Sequence, residues 1–263
     1  MNSTRRVRHM DSGAVSVLAT TYVLSLISLI MLNVSFNPLK ATLVFMLMLF
    51  NALSLTKVHL RLISRPRPLD YALLIINLLP YSYLLYIKYG LLGVTPSIGL
   101  LLIFVIETLR GKGRGAVANV AGTVLMASVY LPWYIMMGGS LHPVVFYIDI
   151  VWLTYHAFSS TYVEGKLPFR LIKPWVSSLV WFTPLVLVTY VVIGYLDTSV
   201  YYFIPLIEPT IRAIHALWED KLNPNEVRLR IRRIGWGGLA ESLLLLLLLV
   251  LILLQLKALL PLG

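Results

Sequence analysis

The sequence predicts an all-α polytopic membrane protein with about nine transmembrane helices, because long apolar stretches alternate with short polar joints. Of the 263 residues, 59% are hydrophobic and 13% are charged, whereas a soluble domain has about 25% charged residues. The apolar stretches are continuous rather than alternating, which favours helices over a barrel. Since a span needs about 20 apolar residues, nine spans occupy the whole chain as one transmembrane domain, residues 1–263.

The spans follow from the positions of the apolar runs. The first begins after a short basic segment and is too long for the apolar part of a signal peptide, so we interpret it as a span. The Leu-rich run Leu243–Leu254 is the clearest of them. The predicted spans cover residues 14–33, 39–56, 70–88, 90–109, 116–137, 142–162, 175–196, 199–217 and 237–258.

The basic residues predict the orientation. Eighteen of the 22 lysine and arginine residues lie before span one or in the joints after spans two, four, six and eight. The alternate joints and the C-terminus hold only Lys40, Lys88 and Lys257, and Arg212 lies within span eight. By the positive-inside rule this predicts the N-terminus inside, the C-terminus outside and an odd number of spans. We expect an integral protein of the cell (plasma) membrane.

Charge and composition also exclude several classes of partner. The net charge is +11, but the positive-inside rule accounts for it, so we predict no nucleic-acid partner. The chain has no cysteine, which excludes disulfides and thiol-ligated metals. The histidines have no metal-ligand spacing, so we predict no metal site and no cofactor. Membrane lipids, and other membrane subunits, are the partners we expect.

Ionisable residues inside spans are costly, so each is a candidate for function. Glu208, Arg212 and His215 are spaced by four and three, which places them on one helical face. Pro205 and Pro209 flank Glu208 and are expected to kink or unwind the helix there. A binding site at a broken helix and a self-neutralising Glu–Arg pair are both consistent with this pattern.

Other candidates lie near the inner ends of spans. Glu241 is the single acid of span nine and needs a partner, for which we predict Arg212. Glu107 and Arg110 end span four and Asn119 begins span five; the glycine-rich turn between them suits a phosphate or is a flexible basic turn. We expect one polar cavity open to the cytoplasm, and its predicted lining is Asn51, Glu107, Asn119, Tyr162, Arg212 and Glu241. The remaining binding candidates are His9, His59, Arg65, Arg67 and Glu164.

Several of these positions resemble the YwiC-like membrane proteins, a family without an assigned function. The resemblance rests on the Arg8-His9-Met10-Asp11-Ser12-Gly13-Ala14 start of span one, on the pair Glu107–Arg110 with Asn119, on Thr161-Tyr162-Val163, on Arg212, and on Ile234-Gly235 with Glu241. It covers nearly the full chain. The departure is Glu164, where a basic residue is expected.

The architecture also resembles the UbiA-type intramembrane prenyltransferases, which have nine spans and an inner-leaflet site. Asn51 occupies the Asn position of their motif Asn-Asp-x-x-Asp-x-x-x-Asp, and Arg65-Pro66-Arg67-Pro68 follows. The three aspartate positions hold Ala52, Leu55 and His59, and the second acidic motif is reduced to Glu164. The magnesium ligands of that family are therefore missing, and we predict no magnesium-dependent prenyl transfer.

Three functions are consistent with these features. The first is binding of a lipid or isoprenoid-type amphiphile at the cytoplasmic leaflet by a UbiA-like architecture without the usual magnesium–aspartate chemistry. The second is transport, although no inverted repeat is found. The third is a non-catalytic subunit of a larger membrane complex. A cavity open at one end favours the first, a two-sided pathway the second, and a filled core the third.

Overall fold

The computed structural model describes residues 12–32, 36–62, 67–196 and 200–259, and this part of the chain is helical without strands. Ten α-helices and three 3₁₀ helices follow one another. The α-helices are α1 (Ser12–Met31), α2 (Pro38–Leu62), α3 (Pro68–Leu78), α4 (Gly90–Leu109), α5 (Ala116–Ala127), α6 (Tyr130–Met136), α7 (Pro143–Lys166), α8 (Trp175–Tyr195), α9 (Ile204–Ala216) and α10 (Val227–Leu259). The 3₁₀ helices are Leu79–Tyr86, Val200–Phe203 and Pro224–Glu226.

Among the described residues, seven helical segments are long and apolar enough to cross a membrane. They correspond to predicted spans one to five, seven and nine, which confirms an all-α membrane protein. Predicted spans six and eight are also helical, but neither is both long enough and apolar enough to be counted among these seven. The segment 142–162 corresponds to α7, which has 24 residues but carries more polar side chains, and 199–217 corresponds to α9, which has only 13.

Span three is not one regular helix. It is α3 followed by the 3₁₀ helix Leu79–Tyr86, which has Pro80 in its first turn. Pro80 has no N–H to donate to the carbonyl four residues earlier, and the change of helix type occurs at this point. Tyr89 then adopts a positive φ of 66°, and a Cβ at Gly90 would overlap the Leu84 carbonyl oxygen. Only glycine fits this close approach.

The core of the bundle is built around α7. Its side chains Tyr147, Trp152 and Phe158 are fully buried, and the helix packs against α5 and α8. Because lipid is as apolar as these side chains, close packing and interhelical hydrogen bonds must stabilise the bundle. One such bond joins the Trp152 indole N–H to Thr21 Oγ1 of α1 at 3.0 Å.

The two ends of the bundle differ in charge. Near one end, a small apolar cluster joins the C-terminal parts of α2 and α4, the start of α3 and the N-terminal part of α5. Most of the lysine and arginine residues that the structure describes lie in or near the loops at this end, and we call it the basic end. At the opposite end, the connection Met137–His142 lies near the start of α2, where Gly138 faces the Lys40 ammonium group.

Candidate functional site

A polar cavity of about 270 Å³ lies at the basic end, between α1, α5, α7 and α10. Each of these four helices contributes residues at positions i, i+3, i+4 and i+7, which is the spacing of one helical face. Most are glycine or carry hydroxyl, amide or imidazole groups. The four faces are Gly13, Ser16, Val17 and Thr20; Asn119, Gly122, Thr123 and Met126; His156, Ser159, Ser160 and Val163; and Gly235, Gly238, Leu239 and Ser242.

Three hydroxyl groups of the polar cavity donate to backbone carbonyls of their own helices. Thr20 donates to the Ser16 carbonyl at 2.8 Å, Thr123 to the Asn119 carbonyl at 3.0 Å and Ser160 to the His156 carbonyl at 2.6 Å. Donation to the carbonyl one turn earlier is a common arrangement for Ser and Thr inside helices. It occupies the single hydroxyl proton and leaves oxygen lone pairs as acceptors.

Among the described residues, Glu164 is the one carboxylate of the cavity lining. Its Oε1 accepts a 2.9 Å hydrogen bond from Asn119 Nδ2, so it ties α7 to α5. Its Oε2 lies 2.5 Å from Arg170 Nε, and the two side chains are only 9% and 19% exposed. The geometry is that of an ion pair without a well-formed hydrogen bond, because neither atom has a hydrogen-bond partner in the described part of the chain. Arg170 therefore neutralises Glu164.

His156 is a further polar residue of the cavity lining. It is 4% exposed, and its Nε2 has no hydrogen-bond partner among the described residues. The ring lies edge-on to Trp152, with centroids 4.5 Å apart, and to Tyr155 at 5.4 Å. A buried polar nitrogen without a partner needs an explanation, and a ligand or a water molecule that hydrogen-bonds to Nε2 is one.

An apolar cavity of about 90 Å³ adjoins the polar one. It lies between α1, α2, α3, α4 and α5, and Gly122 and Met126 of α5 line both cavities. Its remaining lining is almost wholly aliphatic or aromatic. Leu78 and Ile98 line it and are also 38% and 43% exposed, so the cavity reaches the apolar outer surface between α3 and α4.

A second polar cluster, formed by α7, α9 and α10, surrounds Arg212. Its guanidinium contacts the Glu241 carboxylate directly, as predicted, and its Nε lies 3.9 Å from Glu208 Oε1. The same guanidinium lies over the rings of Phe158 and Tyr162, at 5.4 and 5.2 Å from their centroids. Two carboxylates and two aromatic faces compensate this cation, as a charge inside a bundle requires.

The loop after α9 is held against the end of α7. Glu219 Oε2 accepts a 2.6 Å hydrogen bond from the Tyr162 hydroxyl and lies 3.0 Å from Lys166 Nζ. Lys166 Nζ also donates to the Asp220 carbonyl at 2.9 Å. Burial opposes ionisation of Glu219, but the two side-chain donors outweigh it and lower the pKa of this carboxyl below its ordinary value.

The structure separates the predicted site residues, so the prediction of one shared cavity is wrong. Of the six residues expected to line it, only Asn119 does, joined there by Glu164. Asn51 is fully buried elsewhere and donates from Nδ2 to the Tyr81 hydroxyl at 2.6 Å. The pair Glu107–Arg110 lies at the end of α4 with a 3.3 Å separation. Residues at the same depth in the bundle can lie on different faces of their helices, so the rotation of each helix about its axis separates these side chains.

The remaining candidates are exposed or lie outside the described part of the chain. Arg67 is exposed before α3, where its backbone N–H donates to Asp70 Oδ2 at 3.0 Å, and His215 is exposed on α9. His9 and Arg65, and the side chain of His59, lie outside the described residues. The predicted unwinding at Glu208 does not occur, because α9 continues through Pro209 and the 3₁₀ helix precedes it.

Sequence reasoning missed the hydroxyl groups of the polar cavity, Arg170 and the Glu219–Lys166 contact. A detectable signal was present, since small and hydroxyl residues recur at i, i+3, i+4 and i+7 in four predicted spans. Glycine and serine also mediate ordinary helix packing in membranes. The pattern indicates a cavity only when the fold brings four such helix faces together.

Among the described residues, no group of three His, Asp or Glu side chains is arranged to hold a metal ion. Comparison with known proteins finds no family model, no curated protein and no solved structure that matches the chain.

Proposed function

We propose that the protein binds a single-chain lipid or isoprenoid-type amphiphile at the cytoplasmic leaflet. The observation that carries this proposal is the shared wall of the two cavities, because Gly122 and Met126 line both the polar and the apolar one. A polar head group occupies the first and the start of its chain occupies the second. Pockets that bind small molecules combine such an apolar lining with a few placed polar groups.

The bilayer supplies the ligand through the apolar cavity. The exposed side chains Leu78 and Ile98 border it, so the rest of the chain continues into lipid between α3 and α4. The hydrocarbon chain of the ligand then stays in an apolar environment throughout, and only its head group moves from the headgroup layer of the bilayer into the protein. Little hydrophobic free energy is lost on binding.

The orientation proposed from the basic residues places this site at the inner leaflet. With nine crossings, a cytoplasmic N-terminus and insertion in the plasma membrane, the basic end faces the cytoplasm. The architecture we propose is UbiA-like, with the YwiC-like proteins as related sequences. Its partners are membrane lipids, and further membrane subunits remain compatible with the apolar outer surface.

Packing at the opposite end favours binding over transport. Tyr130, Trp133 and Tyr134 are fully buried there, and Tyr130 donates to Ser28 Oγ at 3.0 Å. The polar cavity lies at the basic end, and the apolar cavity extends as far as Val94 near the start of α4 but is not lined by these three aromatic residues. A transporter needs a route that opens alternately to both sides, and these large aromatic side chains occupy the space for it.

The proposal is tested by photo-crosslinking in nanodiscs. Two probes share one acyl chain with a diazirine near the head; one is a monoacylglycerol and the other its phosphate ester, a lysophosphatidate. Labelling of Leu101, Leu125 or Met126 by either probe supports the proposal. Labelling by both probes only on the lipid-exposed faces of α8 and α10 contradicts it.

Paired glycine variants make this test specific. Gly238 lines the polar cavity, where a Cβ would lie 3.7 Å from Ser159 Oγ, and Gly99 of α4 does not line it. Gly238→Leu places a bulky side chain in the cavity without a backbone clash and should abolish labelling of the apolar wall. Gly99→Leu adds the same side chain to an exposed helix surface and should leave labelling unchanged.

A further inference from the structure

We propose that the head group bound in the polar cavity is uncharged and donates hydrogen bonds, as the hydroxyl groups of a polyol or a phenol do. This inference rests on the proposed function and specifies the ligand of the same site. It follows from the charges and hydrogen-bond donors that the lining offers, and it excludes a phosphate head group.

The first argument is charge. Among the described residues, no lysine or arginine lines the polar cavity. Glu164 is the one acid there, and Arg170 compensates it at 2.5 Å. A phosphate brings one to two negative charges and requires arginine, lysine or a metal in return. It would instead meet Glu164 in a partly desolvated space, where repulsion is strong.

The second argument is hydrogen bonding. Thr20, Thr123 and Ser160 each donate their hydroxyl proton to a carbonyl of their own helix, so toward the cavity they act as acceptors. Asn119 donates one of its two Nδ2 protons to Glu164, which leaves its second Nδ2 proton as a donor and its carbonyl oxygen as an acceptor. The four acceptors at Thr20, Thr123, Ser160 and Asn119 are matched by a ligand that donates, and phosphate oxygens mainly accept.

The buried imidazole of His156 is a separate observation at the same place. It is 96% buried, and its Nε2 has no partner among the described residues. A neutral imidazole offers one donor and one acceptor nitrogen, so a hydroxyl group can exchange a hydrogen bond with it in either direction. An ether or a hydrocarbon offers no such exchange.

Phosphate-bearing lipids have a different place on this molecule. Arg228, Arg230, Arg232 and Arg233 are exposed along the first part of α10, and they lie outside the cavity lining. These exposed arginines attract the anionic headgroups of a leaflet electrostatically, without forming a defined binding pocket. Binding there depends on salt concentration, whereas binding in the polar cavity does not.

The test compares three oleoyl compounds as competitors of the monoacylglycerol photoprobe in nanodiscs of neutral lipid. They are 1-oleoylglycerol, 1-oleoyl lysophosphatidate and methyl oleate, which differ only in the head. We expect 1-oleoylglycerol to compete at least about tenfold more strongly than the other two, since a tenfold ratio corresponds to one or two net hydrogen bonds. Its competition should be unaffected by 0.5 M NaCl.

Hydroxyl-deleting variants provide a second measurement. Thr20→Val and Ser160→Ala keep the shape of the side chain nearly unchanged, and each should weaken competition by 1-oleoylglycerol roughly three- to tenfold. Thr95→Val is the matched control, because Thr95 makes the same 2.8 Å bond to a carbonyl one turn earlier on an exposed face of α4. It should bind like wild type.

The outcomes separate this inference from the proposed function. Equal or stronger competition by lysophosphatidate overturns the inference and leaves amphiphile binding intact. Equal competition by methyl oleate shows that the head is not recognised, and it overturns the inference too. Failure of all three compounds, together with unlabelled cavity walls, overturns the proposed function itself.

Discussion

Asn119 and Glu164 are 45 residues apart in the chain, and a 2.9 Å hydrogen bond from the amide of the first to the carboxylate of the second joins α5 to α7. These helices form two adjacent walls of the polar cavity. Arg170 lies 2.5 Å from the other carboxylate oxygen and compensates its charge. Glu164 therefore links the positions of two helices to the charge and the hydrogen-bonding groups of the polar cavity.

Loss of the Glu164 charge should destabilise the protein. Glu164→Gln preserves an oxygen for Asn119 but leaves Arg170, 19% exposed, without its counter-ion. We expect a loss of about 2 kcal/mol of unfolding free energy, since removing one partner of a buried ion pair is costly. Equilibrium unfolding in mixed micelles, followed by tryptophan fluorescence, measures it.

The control is Glu226→Gln. Its partner Arg230 lies at the same 2.5 Å, but the side chains are 47% and 60% exposed. Exposed pairs contribute little, so we expect a change below about 0.5 kcal/mol. Equal effects of the two variants would contradict the view that Glu164 is a buried ion-pair partner.

A double-mutant cycle should reveal strong coupling between Arg212 and Glu241. Arg212→Met leaves Glu241 and Glu208 without their shared cation. Adding Glu241→Gln removes the main uncompensated charge, so the double variant should be more stable than Arg212→Met alone by about 1 kcal/mol or more. Additive losses from the two substitutions would show that the pair is not coupled.

Stability should fall at acidic pH in a manner that depends on Glu219. Its folded-state pKa is lowered below the ordinary 4.5, so its contribution is complete above pH 4.5 and is lost as the pH falls through the folded-state pKa. Glu219→Gln should lower Tm at neutral pH, and the difference from wild type should shrink in that acidic window. Thermal scans between pH 3 and 7 measure it.

Two further variants sharpen the pH experiment. Tyr162→Phe removes one of the two donors to Glu219, so the acid-induced loss should begin at higher pH than in wild type. Asp220→Asn removes the neighbouring exposed carboxylate and should keep the wild-type profile. A profile unchanged by Glu219→Gln would refute the assignment.

Cysteine labelling should establish the proposed orientation. The natural sequence has no cysteine, so single substitutions report unambiguously. Ser140→Cys, in an exposed turn at the opposite end, should react with an impermeant maleimide added to intact cells, and Lys112→Cys at the basic end should react only after lysis. The reverse pattern would place the polar cavity at the outer leaflet.

Much of the fold could be predicted because a bilayer constrains helix length. The predicted span 90–109 coincides with α4, and 14–33 and 175–196 agree with α1 and α8 within about two residues. Span three could not be predicted in full, because the change to a 3₁₀ helix at Pro80 depends on local packing as well as on sequence. The 13-residue α9 shows that an apolar run interrupted by prolines and charged residues need not form a helix long enough to cross a membrane.

Only the part of the site in which a charge inside the bundle needs a counter-ion could be predicted from the sequence. A lone carboxylate in an apolar helix predicted the contact between Glu241 and Arg212, and the structure confirms it. The polar cavity depends instead on which faces of α1, α5, α7 and α10 converge. Depth along a helix can be read from sequence, whereas rotation about its axis is decided by packing against neighbours.

The length of α10 bears on how the proposed lipid ligand would reach the polar cavity. Its 33 residues span about 50 Å, whereas the hydrocarbon core is about 30 Å thick. The surplus belongs to the arginine-rich beginning, so the face Gly235–Ser242 lies where this helix enters hydrocarbon. In the proposed orientation the polar cavity is then level with the headgroup layer, so the proposed ligand would enter sideways without changing its depth. Occupancy should therefore follow the mole fraction of the ligand in the membrane rather than its concentration in water.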